Sequence, residues 1–497
     1  MFKNFPGYKI LEGIQKKKSH KRERKLPLNA IKLLFIIAIT SVIALLPTES
    51  FGIEGLTVIH QRIIALFVFA ALMWLTETMP SWVTSMVVVT VMLFTVSTSA
   101  FSFLRPEEGV GLVPFKSIFA CFSNPTIMLF IGGFVLAIGL TKVKLDVALA
   151  RVLLKPFGTR SEIVLLGFIL VTAIFSAFVS NTATAAMMLA FLTPVLRSLP
   201  ADGKGRIALA LAIPVGANLG GMITPIGTPP NMIALDYLSS QGMGISFVDW
   251  TIKMAPFVIV LLVLAWLLLR IMFPFKQKNI KIEIEGEINW NYKTWSVVVA
   301  FAITIFMWMF GTDLWGIDTN VVAMIPIAIF CATGILTRRD LEEINWSVLW
   351  MVAGGFALGV ALNYSDANSA SLSSLIVKSV PFDNFSPLVV MILAGLICFG
   401  FSNFISHSAA TSLLVPVLGV VASGLGTALD AFGGPQAMLV GIAIASSVSM
   451  ILPISTPPNA IAHSTGFIEQ KDMMKVGIIV GLLGVVLGYA MLIFIGF

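Results

Sequence analysis

The sequence predicts an all-α integral membrane protein arranged as an inverted repeat, with about 11 transmembrane helices, two re-entrant hairpins and two broken helices. Three observations carry that expectation. The first is composition: of 497 residues, 57% are hydrophobic and 11% charged, with a mean hydropathy of +0.96, whereas a soluble domain carries about 25% charged residues. The second is a pair of apolar runs, 163–179 and 183–196, each short for a bilayer core that needs about 20 residues, meeting at Ser180-Asn181-Thr182 between basic flanks, Arg160 and Arg197. The third is internal similarity. Thr228-Pro229-Pro230-Asn231 recurs as Thr456-Pro457-Pro458-Asn459 at an offset of 228, Gly132-Gly133-Phe134 as Gly354-Gly355-Phe356 at 222, and Ser180-Asn181-Thr182-Ala183 lines up with Ser406-His407-Ser408-Ala409 at 226. Three landmarks in one order at nearly one offset mark a duplication.

Taken in chain order, a basic N-terminal segment, 1–30, precedes the first apolar run at Ile31, which shows no small-residue cleavage site and reads as a span. The first repeat covers 31–273, with spans near 31–47, 60–77, 82–99, 118–140, 206–240 (interrupted) and 254–273, and with a hairpin at 161–199. A polar connector, 274–292, follows and reads as a solvated charge run. The second repeat, 293–497, has spans near 293–312, 319–337, 345–363, 436–466 (interrupted) and 474–495, and a hairpin at 386–424.

With the N-terminus inside, this scheme puts 27 of the 32 basic residues on the inner side and leaves Arg62, Arg105, Lys116, Lys253 and Lys378 outside. Positive charge concentrates on the cytoplasmic side of membrane proteins. The expectation is therefore a multi-pass protein of the cell membrane with a cytoplasmic N-terminus and an exterior C-terminus. Its first hairpin opens inward and its second outward. The net charge of +7 is mostly this N-terminal cluster, which suits anionic lipid and argues against a nucleic-acid partner. Seven tryptophans, at 74, 82, 250, 290, 295, 315 and 346, fall near span ends and suggest an interfacial belt. His60 and His463 read as ordinary flanking residues, and Cys121, Cys331 and Cys398 as isolated thiols.

The polar tips and the Thr-Pro-Pro-Asn segments are the candidate site. A Pro-Pro pair forces a helix to unwind, and carbonyls freed within a bilayer need a partner such as an ion or substrate. Each hairpin tip also aims a helix N-terminus, worth about half a positive charge, at the centre. An anion paired with a cation is the chemistry this arrangement suits.

The tips at 180–182 and 406–408, the two Thr-Pro-Pro-Asn loops and the acidic-proline segment Trp74-Leu75-Thr76-Glu77-Thr78-Met79-Pro80 together resemble the divalent anion/sodium symporter family, which includes sodium-coupled di- and tricarboxylate carriers. The resemblance extends over nearly the whole chain from about Lys32. It implies a homodimer with an elevator-like transport domain, Na+ as coupling ion and a small dicarboxylate as substrate. It also implies a first sodium site at Ser176, Ser180, Asn181 and Gly227, and substrate contacts from Ser180, Asn181, Thr182 and Thr228 on one side and Ser406, His407, Ser408, Thr456 and Pro457 on the other. A second sodium site would fall at Ser402, Ile405, His407 and Ser455.

His407 departs from the family's asparagine and puts that second site in question, because imidazole is a poor ligand for a hard cation. Either it replaces the cation with its own hydrogen, giving fewer sodium ions, proton sensitivity or sodium-independent exchange, or it only packs the tip. The substrate expectation is succinate, fumarate, malate or 2-oxoglutarate, with exchange or an inorganic dianion as alternatives. No His-Glu-x-x-His, Gly-x-Ser-x-Gly or phosphate-cradling loop points to an enzyme, and no organic cofactor is implied. A channel, the other rival, does not need two opposed broken-helix sites.

Overall fold

The computed structural model describes residues 26–106, 110–200, 203–280, 289–366 and 369–497. Residues 1–25 of the basic N-terminal segment and 281–288 of the connector lie outside them. Among the described residues the chain is helical, with two isolated β-bridges and no longer strand. Nine helices among the described residues are long and apolar enough to cross a membrane by length and composition, and five shorter apolar helices accompany them. The surface is turned inside out relative to a soluble protein. Phe35, Ile259, Phe306, Phe310, Leu393 and Ile397 are exposed, while Asn218, Asn231, Asn403, Ser446 and Asn459 are buried. Polar groups inside, hydrogen-bonded to one another, are what an apolar environment demands.

The first hairpin pairs helices Ser161–Phe178 and Asn181–Ser198. Val179 and Ser180 are both extended, which is enough to reverse the chain, and Ser180 caps the second helix by accepting from Ala183 N at 3.3 Å. The second hairpin, Pro387–Phe404 and His407–Leu425, repeats this turn through extended Ile405 and Ser406, with Ser406 accepting from Ala409 N at 3.2 Å.

Each broken helix stops where the sequence predicts. Gly205–Gly220 gives way to an unwound stretch before Pro229–Ser240, and Gly434–Ser447 does the same before Pro457–Ser464. Thr228 and Thr456 are extended because a following proline ring excludes the helical conformation. Helix Gly205–Gly220 packs along Ser161–Phe178. The approach is close: a Cβ on Gly216 would meet Ile169 O at 2.7 Å.

Several elements differ from the expectation. The span at 319–337 is a shorter apolar helix, Thr319–Ala332, whose hydrogen bonding is interrupted at Ala323 although the backbone there keeps helical angles, φ −60° and ψ −20°. There Gly132 comes so near that a Cβ on it would meet Ala323 O at 2.5 Å. Trp74 and Trp250 do not belong to an interfacial belt. Both are fully buried, and their indole N–H groups donate to Ser81 O at 3.1 Å and Met222 O at 3.0 Å. His60 is likewise buried, in a capping box with Thr57. The start of the connector is tied down, since Ile280 N donates to Thr159 O at 2.7 Å and Ser161 Oγ to Gln277 O at 2.6 Å, clamping the base of the first hairpin.

Candidate functional site

Both hairpin tips and both unwound segments line one cavity of about 1170 Å³. Its walls hold Ser180, Asn181, Thr182, Gly227 and Thr228 from the first half and Ser406, His407, Ser408, Ser455, Thr456 and Pro457 from the second. Ser176, Ser402 and Ile405 lie behind this wall, all buried. Among the described residues the lining contains no lysine or arginine, and its one charged member is Glu77. Glu77 caps helix Val58–Thr76 in the left-handed conformation, φ 46°, a strained choice for a non-glycine residue that recurs at functional sites.

Positive potential at the cavity comes from backbone. Four helices begin there, at Asn181, Pro229, His407 and Pro457. At about half a positive charge each, they present roughly two charges to whatever enters. Ser180, Ser406 and Thr456 accept hydrogen bonds from backbone N–H groups of their own helices. Their hydroxyl hydrogens are thereby aimed away from the helix, as donors.

Behind the first tip, Ser176 Oγ lies 2.6 Å from Asn181 Oδ1 and 2.7 Å from Ala217 O. Three oxygens thus converge with one hydroxyl hydrogen among them, and Ala217 O accepts in addition from Gly221 N at 3.1 Å. That donor set, hydroxyl, amide and carbonyl, fits a small hard cation. Of the residues expected to share this site, Ser180 is engaged in capping, and Gly227 packs on Gly221. Gly221 in turn lies under the Asn181 amide, where a Cβ would meet Oδ1 at 2.6 Å.

The corresponding groups of the second half are bonded to one another. Ser402 Oγ donates to Ser446 Oγ at 3.2 Å, and Ser446 Oγ to His407 O at 3.0 Å. Ser455 Oγ donates to Asn403 O at 3.1 Å and accepts from Leu452 N at 3.0 Å. His407 Nε2 sits 2.6 Å from Ser449 O. Ile405 contributes its backbone, N to Phe401 O at 3.0 Å, which ends the preceding helix.

Sequence reasoning missed the residues that hold the unwound segments in shape. Asn231 Nδ2 donates to Gly221 O at 3.0 Å and Thr224 O at 2.8 Å, and Asn459 Nδ2 to Met450 O at 2.8 Å and Leu452 O at 3.1 Å. The asparagine of each Thr-Pro-Pro-Asn motif therefore staples its own loop. Asn218 then joins the halves, donating to Thr456 Oγ1 at 3.2 Å and Asn459 Oδ1 at 3.1 Å. The recurrence of an asparagine after each Pro-Pro pair was the available signal for the staples. Asn218 has no counterpart at its offset, where Ser446 stands, so nothing in the repeat singled it out.

The chain is 30% identical over 473 residues to an uncharacterized transporter of Haemophilus influenzae, covering 92% of this chain and 94% of that one. It is 29% identical over 462 residues to the sodium-dependent dicarboxylate transporter SdcS of Staphylococcus saprophyticus, covering 85% and 84%, and 29% identical to the sodium-dependent high-affinity dicarboxylate transporter 3 of Caenorhabditis elegans, covering 83% and 79%. The crystal structure of the Alcanivorax borkumensis YdaH transporter shares the fold, with a TM-score of 0.52 at 13% identity over 86% of this chain and 97% of that one. The resemblance to the divalent anion/sodium symporters read from the tips and loops is borne out by these relatives. A citrate transporter profile, CitMHS, matches residues 71–434. The chain belongs to the citrate transporter family and is a multi-pass membrane transporter, not an enzyme.

Proposed function

We propose that this protein is a secondary carrier of small dicarboxylates, of the size of succinate, fumarate, malate or 2-oxoglutarate, coupled to sodium at the Ser176–Asn181–Ala217 cage. The observation that carries this reading is the cavity itself. Four helix N-termini and the tip hydroxyls meet there with no cationic side chain in the described lining, which suits an anion of about two charges held by dipoles and hydroxyl donors. The oxygen cage directly behind one tip gives a hard cation a place beside that anion. Two of the relatives, the transporters of Staphylococcus saprophyticus and Caenorhabditis elegans, are named as sodium-dependent dicarboxylate transporters, which points the same way.

Ser180, Asn181, Thr182 and Thr228 would then hold one carboxylate, and Ser406, Ser408, Thr456 and the Pro457 helix end the other. The bonds from Asn218 make the two broken helices one mechanical unit. Such a unit, with its hairpins, moves as the travelling body of an elevator against the remaining helices. The family resemblance extends this to a homodimer, with the N-terminus in the cytoplasm and the C-terminus outside. The deciding experiment is uptake of labelled succinate into proteoliposomes with and without a sodium gradient, and with and without internal dicarboxylate. Gradient-driven uptake is expected. Uptake of sulfate but not succinate would make it an inorganic dianion carrier, and strict dependence on internal dicarboxylate an exchanger.

A further inference from the structure

The two halves of the site differ in which groups carry hydrogen. Aligned by the offsets of the repeat, His407 stands for Asn181, Ser402 for Ser176, Ala445 for Ala217 and Ser449 for Gly221. In the first half the Asn181 amide lies on Gly221 and its oxygen faces Ser176. In the second, the imidazole lies on Ser449 with Nε2 2.6 Å from the main-chain oxygen. A carbonyl only accepts, so Nε2 carries the hydrogen and His407 is a donor here.

The oxygens around it are also occupied. His407 O accepts from both Ser446 Oγ at 3.0 Å and Thr411 Oγ1 at 2.8 Å, and Ser446 Oγ itself accepts from Ser402. Asn403 Oδ1 accepts from Ile451 N at 2.8 Å, and Asn403 O from Ser455 Oγ. Where the first half leaves Asn181 Oδ1 and Ala217 O sharing the single Ser176 hydroxyl hydrogen, the second spends the Ser402 hydrogen on Ser446 and the Ser446 hydrogen on His407 O. A cation entering it would meet the His407 N–H where the first half offers the Asn181 oxygen, and would compete with donors already bonded to the oxygens around it.

We propose that the His407 Nε2–H fills the place a cation takes in the first half, so that the carrier moves a single sodium ion with each dicarboxylate dianion and each cycle transfers one net negative charge. This rests on the reading of the first cage as a sodium site. One net negative charge entering against an inside-negative potential changes the attainable accumulation about fifty-fold per 100 mV. The cycle therefore favours release of dicarboxylate, or its exchange, over concentrative uptake in an energised cell.

The test is succinate uptake by proteoliposomes, measured against sodium concentration and against an imposed potassium diffusion potential. The wild type should show a Hill coefficient for sodium of about 1 and slower uptake with the interior negative. His407→Asn restores an oxygen opposite Ser402 and should raise the coefficient toward about 2 while abolishing the inhibition by potential. A wild type with a second-order sodium dependence and no response to potential overturns the assignment, and that measurement decides the matter even if the variant fails to assemble. Uptake indifferent to sodium instead overturns the first-cage reading, an outcome separable from a second-order one.

Discussion

The unwound segment 221–228 and its repeat 449–456 follow the same path with different means of support. In the first, Thr224 Oγ1 reaches back to Ala177 O, Asn231 gathers two carbonyls, and Trp250 fixes Met222 O. In the second, Asn403 binds Ile451 N through its side chain and Ser455 through its carbonyl, while Ser449 Oγ is bonded to Phe399 O and Ala445 O. The shared parts are those that shape backbone: a threonine forced into extended conformation by the proline after it, and an asparagine that ties the loop to its own helix. The divergent parts lie behind the hairpin tips, around Ser176 and Asn181 in one half and Ser402 and His407 in the other. A duplicated frame can thus be kept while the hydrogen bonding behind its two tips diverges.

Breaking the common frame should have the largest effect. Asn459→Ala leaves Met450 O and Leu452 O without their side-chain donor and takes from Asn218 one of its two partners. At about 1–3 kcal/mol for each buried polar group left unsatisfied, it should lower the melting temperature of the purified protein more than Asn231→Ala, which frees Gly221 O and Thr224 O alone. Equal losses would mean that the tie between the halves carries no energy.

A sharper comparison exchanges one residue for its counterpart. A side chain on Gly221 has to displace the Asn181 amide, whereas Ser449 already carries one. Overpacking costs about 1–3 kcal/mol, here expressed at a side chain that is free to move, so Gly221→Ser should leave thermal stability nearly intact and cut sodium-dependent uptake by tenfold or more. Ser449→Gly forfeits one hydroxyl hydrogen bond, shared between Phe399 O and Ala445 O and worth about 1 kcal/mol, and should retain the sodium response. The reverse ranking in a transport assay would place the cation in the second half.

The smallest effect concerns how the halves are joined outside the site. Lys142 Nζ, at the end of helix Pro125–Lys142, pairs with Asp340 at 2.5 Å, a residue of the short helix Arg338–Glu342. Burial pushes the Asp340 carboxyl up, but hydrogen bonds from Lys142 and Thr337 outweigh it and hold the group below its ordinary range. The stability this pair adds is complete above the ordinary carboxylate pKa and is lost as pH falls through the depressed native value. Lys142→Met should therefore cost about 1 kcal/mol or less near neutrality, and the difference in melting temperature from wild type should vanish in acid.

How much was legible beforehand follows from the range of each interaction. Pro229-Pro230 and Pro457-Pro458 announce their breaks because a proline acts on its own turn, and the tips announce themselves as polar residues stranded in apolar runs. Trp74 and Trp250 misled, since a position near a span end is shared by lipid-facing and core tryptophans alike, and only packing separates them. Residues 1–25 and 281–288, a basic segment and part of a connector on sequence grounds, lie outside the described residues.

From sequence alone came the duplication, the helices and their interruptions, and the residues that would face a ligand, because apolar period, proline and the offset between copies are properties of the chain read locally. Tertiary structure decided that Asn181 stands beside Ala217 O and Gly221, that His407 gives its hydrogen to Ser449, and that Asn218 bridges to Thr456 and Asn459. Those contacts join positions 36 to 241 residues apart, and a hydrogen bond at such separation depends on where two helices end up in space.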